Sequence, residues 1–327
     1  MTTLPAMAAG GRGKAGRRAV GLALGAGGAR GFAHLGVLRG LSEAKIPIDA
    51  IAGCSIGALV GAVYAAGQLE KFEREILNLD WSNIVRMFDP VWPRSGLISG
   101  ERAIEWLAGI IGDWRIEDLS IPFVAVAVDL ITGEEILIRE GRVTDAIRAS
   151  ISIPGIFVPQ RAGKRLLVDG ALRNPVPVSA LDGLGIDTRI AVNLHGQPLR
   201  ELSRPSARAS WTARTSVGQR AGEMIERGLG RFRRRGNADT EDTGPNLFEI
   251  LTASMTVIEH ELARHRLARE AVDVVIEPDV QSVRSLEFQK VRKAIHAGLR
   301  ETRERIEEIR SVLKKRRNWR ASRNNDR

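Results

Sequence analysis

Apolar residues in this chain come in short runs separated by glycine-rich turns, with longer stretches at helical spacing between them. Ala19-Val20-Gly21-Leu22-Ala23-Leu24 reads as a buried strand, and Gly25 to Gly31 follows as a glycine-rich turn. From Phe32 to Ala44, Leu35, Leu38 and Leu41 recur every third residue and predict a helix. A second strand, Asp49 to Gly53, is followed by a helix-like segment from Ala58 to Ala66. This strand-loop-helix-strand-helix opening predicts an α/β fold, with a mostly parallel central sheet and helices on both faces.

The pattern continues less regularly. Residues 68–120 read as mostly helical, broken by the turn Asp89-Pro90-Val91-Trp92-Pro93. Pro122 to Leu130 is an apolar strand, and the turn Thr132-Gly133-Glu134 sends Glu135 to Arg139 back as a hairpin. Val143 to Ser150 predicts a short helix, Lys164 to Val168 a short strand, and Thr188 to Leu194 a late strand. After residues 196–246 come a helix from Leu247 to about Leu267 and a strand from Val272 to Ile276. A long helix closes the chain, with a stripe of Phe288, Val291, Ile295, Leu299, Ile306, Ile309 and Leu313.

Composition adds the limits. Apolar residues make up 43% of 327, enough for a substantial core, and no run of about 18 apolar residues predicts a membrane span. Residues 1–18 are basic and glycine-rich without an apolar stretch behind the charges, so they read as a disordered tail and not a secretory signal. The only cysteine, Cys54, rules out an internal disulfide and a cysteine-cluster metal site. A cytoplasmic address is the simplest expectation, with peripheral contact at the inner membrane face.

The net charge of +10 is uneven: residues 1–18 hold +4, 196–246 hold +4 and 301–327 hold +5, leaving about −3 for the body. Anionic partners are therefore expected for these three segments and not for the core. The division expected is a basic tail (1–18), a main α/β domain (19–300) with a basic insertion or lid (196–246), and a basic C-terminal helix and tail (301–327). Within the insertion, an apolar stripe from Val217 to Phe232 runs into Arg231-Phe232-Arg233-Arg234-Arg235, which suggests a lid facing an anionic membrane. Aromatics are 5% of the chain, and within the insertion Trp211 and Phe232 alone interleave the arginines, so nucleic acid is not an expected partner.

The candidate chemistry starts at Gly53-Cys54-Ser55-Ile56-Gly57. A serine between glycines, placed where a strand turns into a helix, has the form of a nucleophile elbow. The glycine turn before it fails as a dinucleotide fingerprint, because Arg30 occupies the third small position and Asp49 opens the second strand instead of closing it. It is not a P-loop either, lacking Gly-Lys-Ser/Thr. The alternative is an oxyanion hole in which Gly27 and Gly28 turn their N–H groups toward a developing charge, with Arg30 fixing the loop or helping to hold the anion. A serine nucleophile also needs a base. Five histidines are present, His34, His195, His260, His265 and His296, and none lies in a loop that returns to the elbow. His34 either points at the site or packs. Asp169, in Val168-Asp169-Gly170-Ala171, stands just after a strand, as a catalytic side chain at a sheet edge or as an ordinary Asp-Gly turn.

Four stretches in chain order resemble the bacterial patatin-like phospholipase family: Gly27-Gly28-Ala29-Arg30-Gly31, the elbow Gly53 to Gly57, Ala149 to Phe157 with Ser150-Ile151-Ser152-Ile153-Pro154, and Asp169-Gly170-Ala171. Ala26 and Ala171 stand where that family usually carries glycine. The resemblance covers most of residues 19–195 and implies a three-layer patatin-like fold. It also implies a Ser55–Asp169 dyad, an oxyanion hole at Gly27 and Gly28, and no metal or cofactor.

The activity this implies is hydrolysis of phospholipid or lysophospholipid acyl esters through an acyl-serine. A carboxylate near pKa ~4 is a weak base for a serine, so the dyad must lean on the oxyanion hole and a dry pocket. Ser150 to Pro154 is expected either to line or support that pocket or to form a buried strand with a proline bend. Gly28→Val is expected to slow turnover without affecting thermal stability. The alternative function is a membrane- or anion-binding regulatory protein on the same scaffold, which a reactive Ser55 would exclude.

Overall fold

The computed structural model describes residues 19–79, 89, 96–196 and 247–325. Its centre is an eight-stranded sheet of β1 (Val20–Leu24), β2 (Ala50–Cys54), β3 (Phe123–Asp129), β4 (Glu135–Ile138), β5 (Gln160–Ala162), β6 (Arg165–Asp169), β7 (Thr188–Val192) and β8 (Val274–Ile276). The hydrogen-bonded order is β5-β6-β3-β2-β1-β7-β8, with β4 paired to β3. β1, β2, β3, β7 and β8 are parallel, whereas β4 and β6 run antiparallel to β3, and β5 antiparallel to β6.

Alternation along the strands sets the two faces. Val20, Leu22, Leu24, Ile51, Phe123, Ile190 and Val192 face one layer of helices. That layer holds α1 (Ala33–Glu43), α2 (Ile56–Ala65), α4 (Glu101–Ile111), α5 (Val143–Ser150) and α7 (Val291–Asn325). A short helix, α3 (Leu69–Asn78), packs at its margin through Phe72 and Trp106. The opposite face is lined by the smaller Ala23, Ala50, Ala52, Cys54, Val124 and Ala191. It is covered by Val176 to Leu181 and by α6 (Leu247–Leu267), through Ala263 and Leu267. The chain therefore forms the three layers that its strand pattern predicts, with large residues under the thicker layer and alanines under the thinner.

Two adjustments follow from backbone chemistry. β5 was not predicted, being three residues with two exposed; it exists because Arg161 and Ala162 pair with Leu166 and Arg165. α7 runs unbroken from Val291 to Asn325, so the expected boundary at residue 300 falls inside a helix whose Thr302, Ile306 and Ile309 are buried. The basic tail 1–18 and the insertion, from residue 197 on, lie outside the described residues.

One feature of the sheet positions the site. β2 pairs with β3 over residues 123–126, and β6 pairs over 127–129. Pro122 C=O accepts from β2 and Leu130 N–H donates to Leu166, eight positions on, so both bonds leave the same side of β3. β6 thus takes up pairing where β2 turns away at Ser55. The ends of these two strands, from opposite directions, meet there.

Candidate active site

Ser55 occupies the turn between β2 and α2 with φ 55° and ψ −124°, a conformation a non-glycine residue adopts only under strain. Its neighbours make room for it. A Cβ at Gly57 would stand 2.1 Å from the carbonyl oxygen of Leu24, and one at Gly53 would stand 2.5 Å from Ala58 backbone. Glycine-free versions of this corner cannot close. α2 starts at Ile56, two residues before the sequence pattern suggested, because Ala58 and Leu59 N–H already bond the Ser55 carbonyl at 2.9 and 3.2 Å. The turn is also held from outside: Ser55 N–H donates to Ser150 Oγ at 2.9 Å, and that hydroxyl donates to Val126 C=O at 2.6 Å.

Ser55 Oγ lies 2.6 Å from Asp169 Oδ2. The other carboxylate oxygen accepts from Ala171 N–H at 2.9 Å, and the Cys54 thiol lies 3.9 Å from it. Asp169 N–H bonds the carbonyl of Ser152 at 2.9 Å, which fixes Asp169 to the segment that also braces Ser55. Burial raises the Asp169 pKa to about 6 against the opposing pull of the bonds from Ser55, Ala171 and Cys54. The carboxylate is thus a better base than an exposed aspartate. Burial, with the Asp169 charge beside it, pushes the Cys54 thiol well up, so it stays protonated.

Across the cleft the glycine turn takes conformations that suit glycine, φ 156° at Gly27 and 57° at Gly28. Its neighbouring N–H groups are engaged: Gly25 bonds Val192 C=O, Ala26 bonds Pro175 C=O, and Ala29 bonds Ser285 C=O at 2.7 Å. Of the two alternatives for Arg30, the geometry matches the loop-fixing one. The side chain is 1% exposed, its Nε donates to Gly27 C=O at 3.2 Å, and its NH2 donates to Ser285 Oγ at 3.0 Å. A Cβ at Gly31 would meet Ile56 Cγ2 at 2.0 Å, so the turn packs directly on the elbow helix; one at Gly170 would meet Val126 C=O at 2.4 Å.

The five histidines are elsewhere. His34 Nε2 donates to the Gly25 carbonyl at 2.8 Å, and burial lowers its pKa to about 4, so it packs as a neutral brace of the glycine turn. His195 is buried and lowered to about 3, first by burial and then by nearby Arg30. His260 Nδ1 bonds the His195 carbonyl, His265 approaches Glu261, and none of the five bonds Ser55 among the described residues.

Gly27, Gly28, Ser55 and Asp169 open onto one cleft with an accessible volume of about 80 Å³. Its walls are Ile98, Ile153, Ile156, Phe157, Met255, Leu286 and Phe288, with Thr252, Thr256 and Glu259 from α6. Of these, Ile153 belongs to the segment expected to line or support the pocket or to form a strand, and Ile156 and Phe157 follow just after it; no strand forms over Ser150 to Pro154. The contribution of α6 was not foreseen, because its pocket-facing residues form no apolar stripe in the sequence. Ser150 and Ser152 belong to the segment expected to line or support the pocket; neither is among the residues that open onto the cleft, and both bond the backbone of Ser55 and Asp169 instead, through contacts that are long-range in sequence. Among the described residues no group of His, Cys, Asp or Glu has a metal-holding arrangement, and no helix is long and apolar enough to cross a membrane.

A family model described as patatin-like phospholipase matches residues 22–182. An uncharacterized NTE family protein of Mycobacterium tuberculosis is 34% identical over 320 residues, covering 85% of this chain and 89% of that protein. Neuropathy target esterase sws of Drosophila melanogaster is 32% identical over 196 residues, 56% of this chain and 13% of the fly protein. Among solved structures, VipD from Legionella pneumophila is similar with a TM-score of 0.51 at 14% identity, covering 89% of this chain and 67% of VipD. At that identity the likeness is one of fold.

Proposed function

The chain belongs to the patatin-like phospholipase family, and from that premise we propose that it hydrolyses lipid acyl esters through an acyl-Ser55 intermediate, with Asp169 as the base. The observation that carries this reading is the 2.6 Å contact between Ser55 Oγ and Asp169 Oδ2 at the floor of an apolar cleft.

The mechanism follows from these groups. Asp169 takes the Ser55 hydroxyl proton as Oγ attacks the ester carbonyl carbon. The carbonyl oxygen becomes an anion and receives N–H bonds from Gly27 and Gly28. Collapse breaks the bond to the alcohol oxygen, which leaves with the proton from Asp169, and the acyl group stays on Ser55. Water then gives a proton to Asp169 and attacks the acyl carbon. A second collapse returns that proton to Oγ and releases the fatty acid. A base near pKa 6 makes the first transfer easier than an exposed carboxylate would, and the apolar walls strengthen every charge interaction around it.

An acyl chain fits walls of isoleucine, phenylalanine and methionine, so the substrate class is a phospholipid or lysophospholipid, reached from an anionic membrane surface. The test is labelling by a fluorophosphonate probe. Modification at Ser55 in wild type and its absence in Ser55→Ala and Asp169→Asn supports the reading. A folded wild-type protein that stays unlabelled and hydrolyses no ester would leave a regulatory scaffold as the better account.

A further inference from the structure

The C-terminal edge of the sheet carries a second feature beside the cleft. The turn after β3 exposes two apolar side chains, Leu130 at 49% and Ile131 at 67%. Next to it stands the β5–β6 hairpin, with Arg161, Lys164 and Arg165 all exposed. No ion pair engages any of the three among the described residues.

These two loops are fastened into one tip. Leu130 N–H bonds Leu166 C=O at 2.8 Å. The buried Asp129 places one oxygen, Oδ1, where it accepts from both Ile131 N–H at 3.1 Å and Leu166 N–H at 3.3 Å. Asp129 and Glu134 are the acids of this turn, so with Arg161, Lys164 and Arg165 the tip carries a net charge of +1. It also continues the pocket wall: the chain passes from Ile156 and Phe157, which line the cleft, directly into β5 at Gln160. The fold leaves this Ile–Leu pair exposed, and the cations of the neighbouring hairpin make no ion pair among the described residues. Apolar groups beside basic ones suit a bilayer interface, where the first enter the acyl boundary and the second meet anionic head groups.

We propose that the Leu130–Ile131 turn and the Arg161/Lys164/Arg165 hairpin form a membrane-docking tip that sets the cleft mouth against an anionic bilayer. The inference rests on the lipid-hydrolase reading for its purpose, but its test is separate. Full-length protein is mixed with phosphatidylcholine vesicles with and without phosphatidylglycerol, and bound protein is measured by co-sedimentation. Each basic residue near such a surface strengthens binding roughly fivefold. Arg161→Gln/Lys164→Gln/Arg165→Gln should therefore weaken binding to anionic vesicles by up to on the order of 10²-fold, and the salt dependence should flatten. Leu130→Ser/Ile131→Ser should weaken binding that remains at high salt. Both variants should hydrolyse a water-soluble ester as wild type does, while turnover of vesicle-embedded substrate falls.

Wild-type binding by both variants overturns the proposal. So does loss of binding only in Arg231→Gln/Arg233→Gln/Arg234→Gln/Arg235→Gln, which would assign docking to the basic insertion. Failure of the wild type to hydrolyse any soluble ester would instead count against the lipid-hydrolase reading and leave the vesicle result standing.

Discussion

The N–H of Ser55 donates to the hydroxyl of Ser150, which in turn donates a hydrogen bond to the carbonyl of Val126. The unusual backbone of Ser55 is thereby tied to the strand that both β2 and β6 use. Ser150→Ala leaves a buried donor and a buried acceptor without this partner, at a cost of about 1–3 kcal/mol. The expected outcome is a lower Tm together with a fall in kcat, since the elbow is freed to relax from φ 55°. Unchanged kcat in a destabilised variant would reduce Ser150 to a purely structural residue.

Loss of the dyad should abolish turnover without unfolding the protein. Ser55→Ala and Asp169→Asn are expected to be inactive on a short-chain ester, with native circular dichroism. His34→Gln, which can keep a donor toward Gly25, should retain most of kcat. An inactive but folded His34→Gln would put the assignment of the base to Asp169 in error.

The pH dependence follows from the base. Asp169 works only when ionised, and burial raises its pKa to about 6. kcat/KM should be level above pH 7 and fall roughly tenfold per pH unit well below 6. The loss should reverse on return to neutral pH. A midpoint near that of an exposed carboxylate would show that burial does not tune this group.

The same burial has a stability consequence. A carboxyl whose folded pKa is raised from 3.8 to about 6 favours the folded state below pH 4 and loses that advantage as pH rises to 6. Above pH 6 the ionised Asp169 therefore costs stability, by up to about 3 kcal/mol. Asp169→Asn should unfold at a higher temperature than wild type at pH 8, and the gain should shrink toward pH 4. Equal melting at both pH values would contradict the shift.

Gly28 is the case in which structure alters an expectation. The sequence suggests that a side chain there slows turnover and leaves stability alone. At φ 57°, however, a Cβ would stand 2.3 Å from the Ser285 carbonyl oxygen, a backbone atom that cannot swing aside. Gly28→Ala should lower both kcat and Tm, the strain in φ alone costing about 1–2 kcal/mol. Gly27→Ala would meet the Leu194 side chain at 2.9 Å, and should give the larger ratio of catalytic to thermal damage. Thermal scans beside steady-state kinetics on the two variants decide this.

Much of this site was legible in the chain because its signals are local. The strand before Ser55, the glycines around it and the helix Val143–Ser150 are each written within a dozen residues. Asp169 was legible only through the company of the other motifs, since an Asp-Gly turn is common. What stayed hidden depends on distant residues. The raised pKa of Asp169 comes from burial by other elements, and the hydroxyl of Ser150 acts on a residue 95 positions away. α6 was predicted as a helix with its observed ends, but nothing in its pattern told which side would face Ser55. The early start of α2 was obscured by Gly57, which lowers helix propensity yet is required by the 2.1 Å approach of Leu24.

The matched family segment ends at residue 182, but the glycine turn is held by Ser285, which accepts from both Ala29 and Arg30. α1 and α7 add to this hold, for a Cβ on Gly298 would lie 2.0 Å from the carbonyl of Ala33, and one on Gly36 equally close to that of Ile295. Head and tail of the chain are thus a single mechanical part. A chimaera that kept residues 19–196 and took its remainder from a relative would inherit every atom of Ser55 and Asp169, but the pitch of its glycine turn would be set by foreign sequence. What can be exchanged between such proteins is decided by where the backbones grip one another.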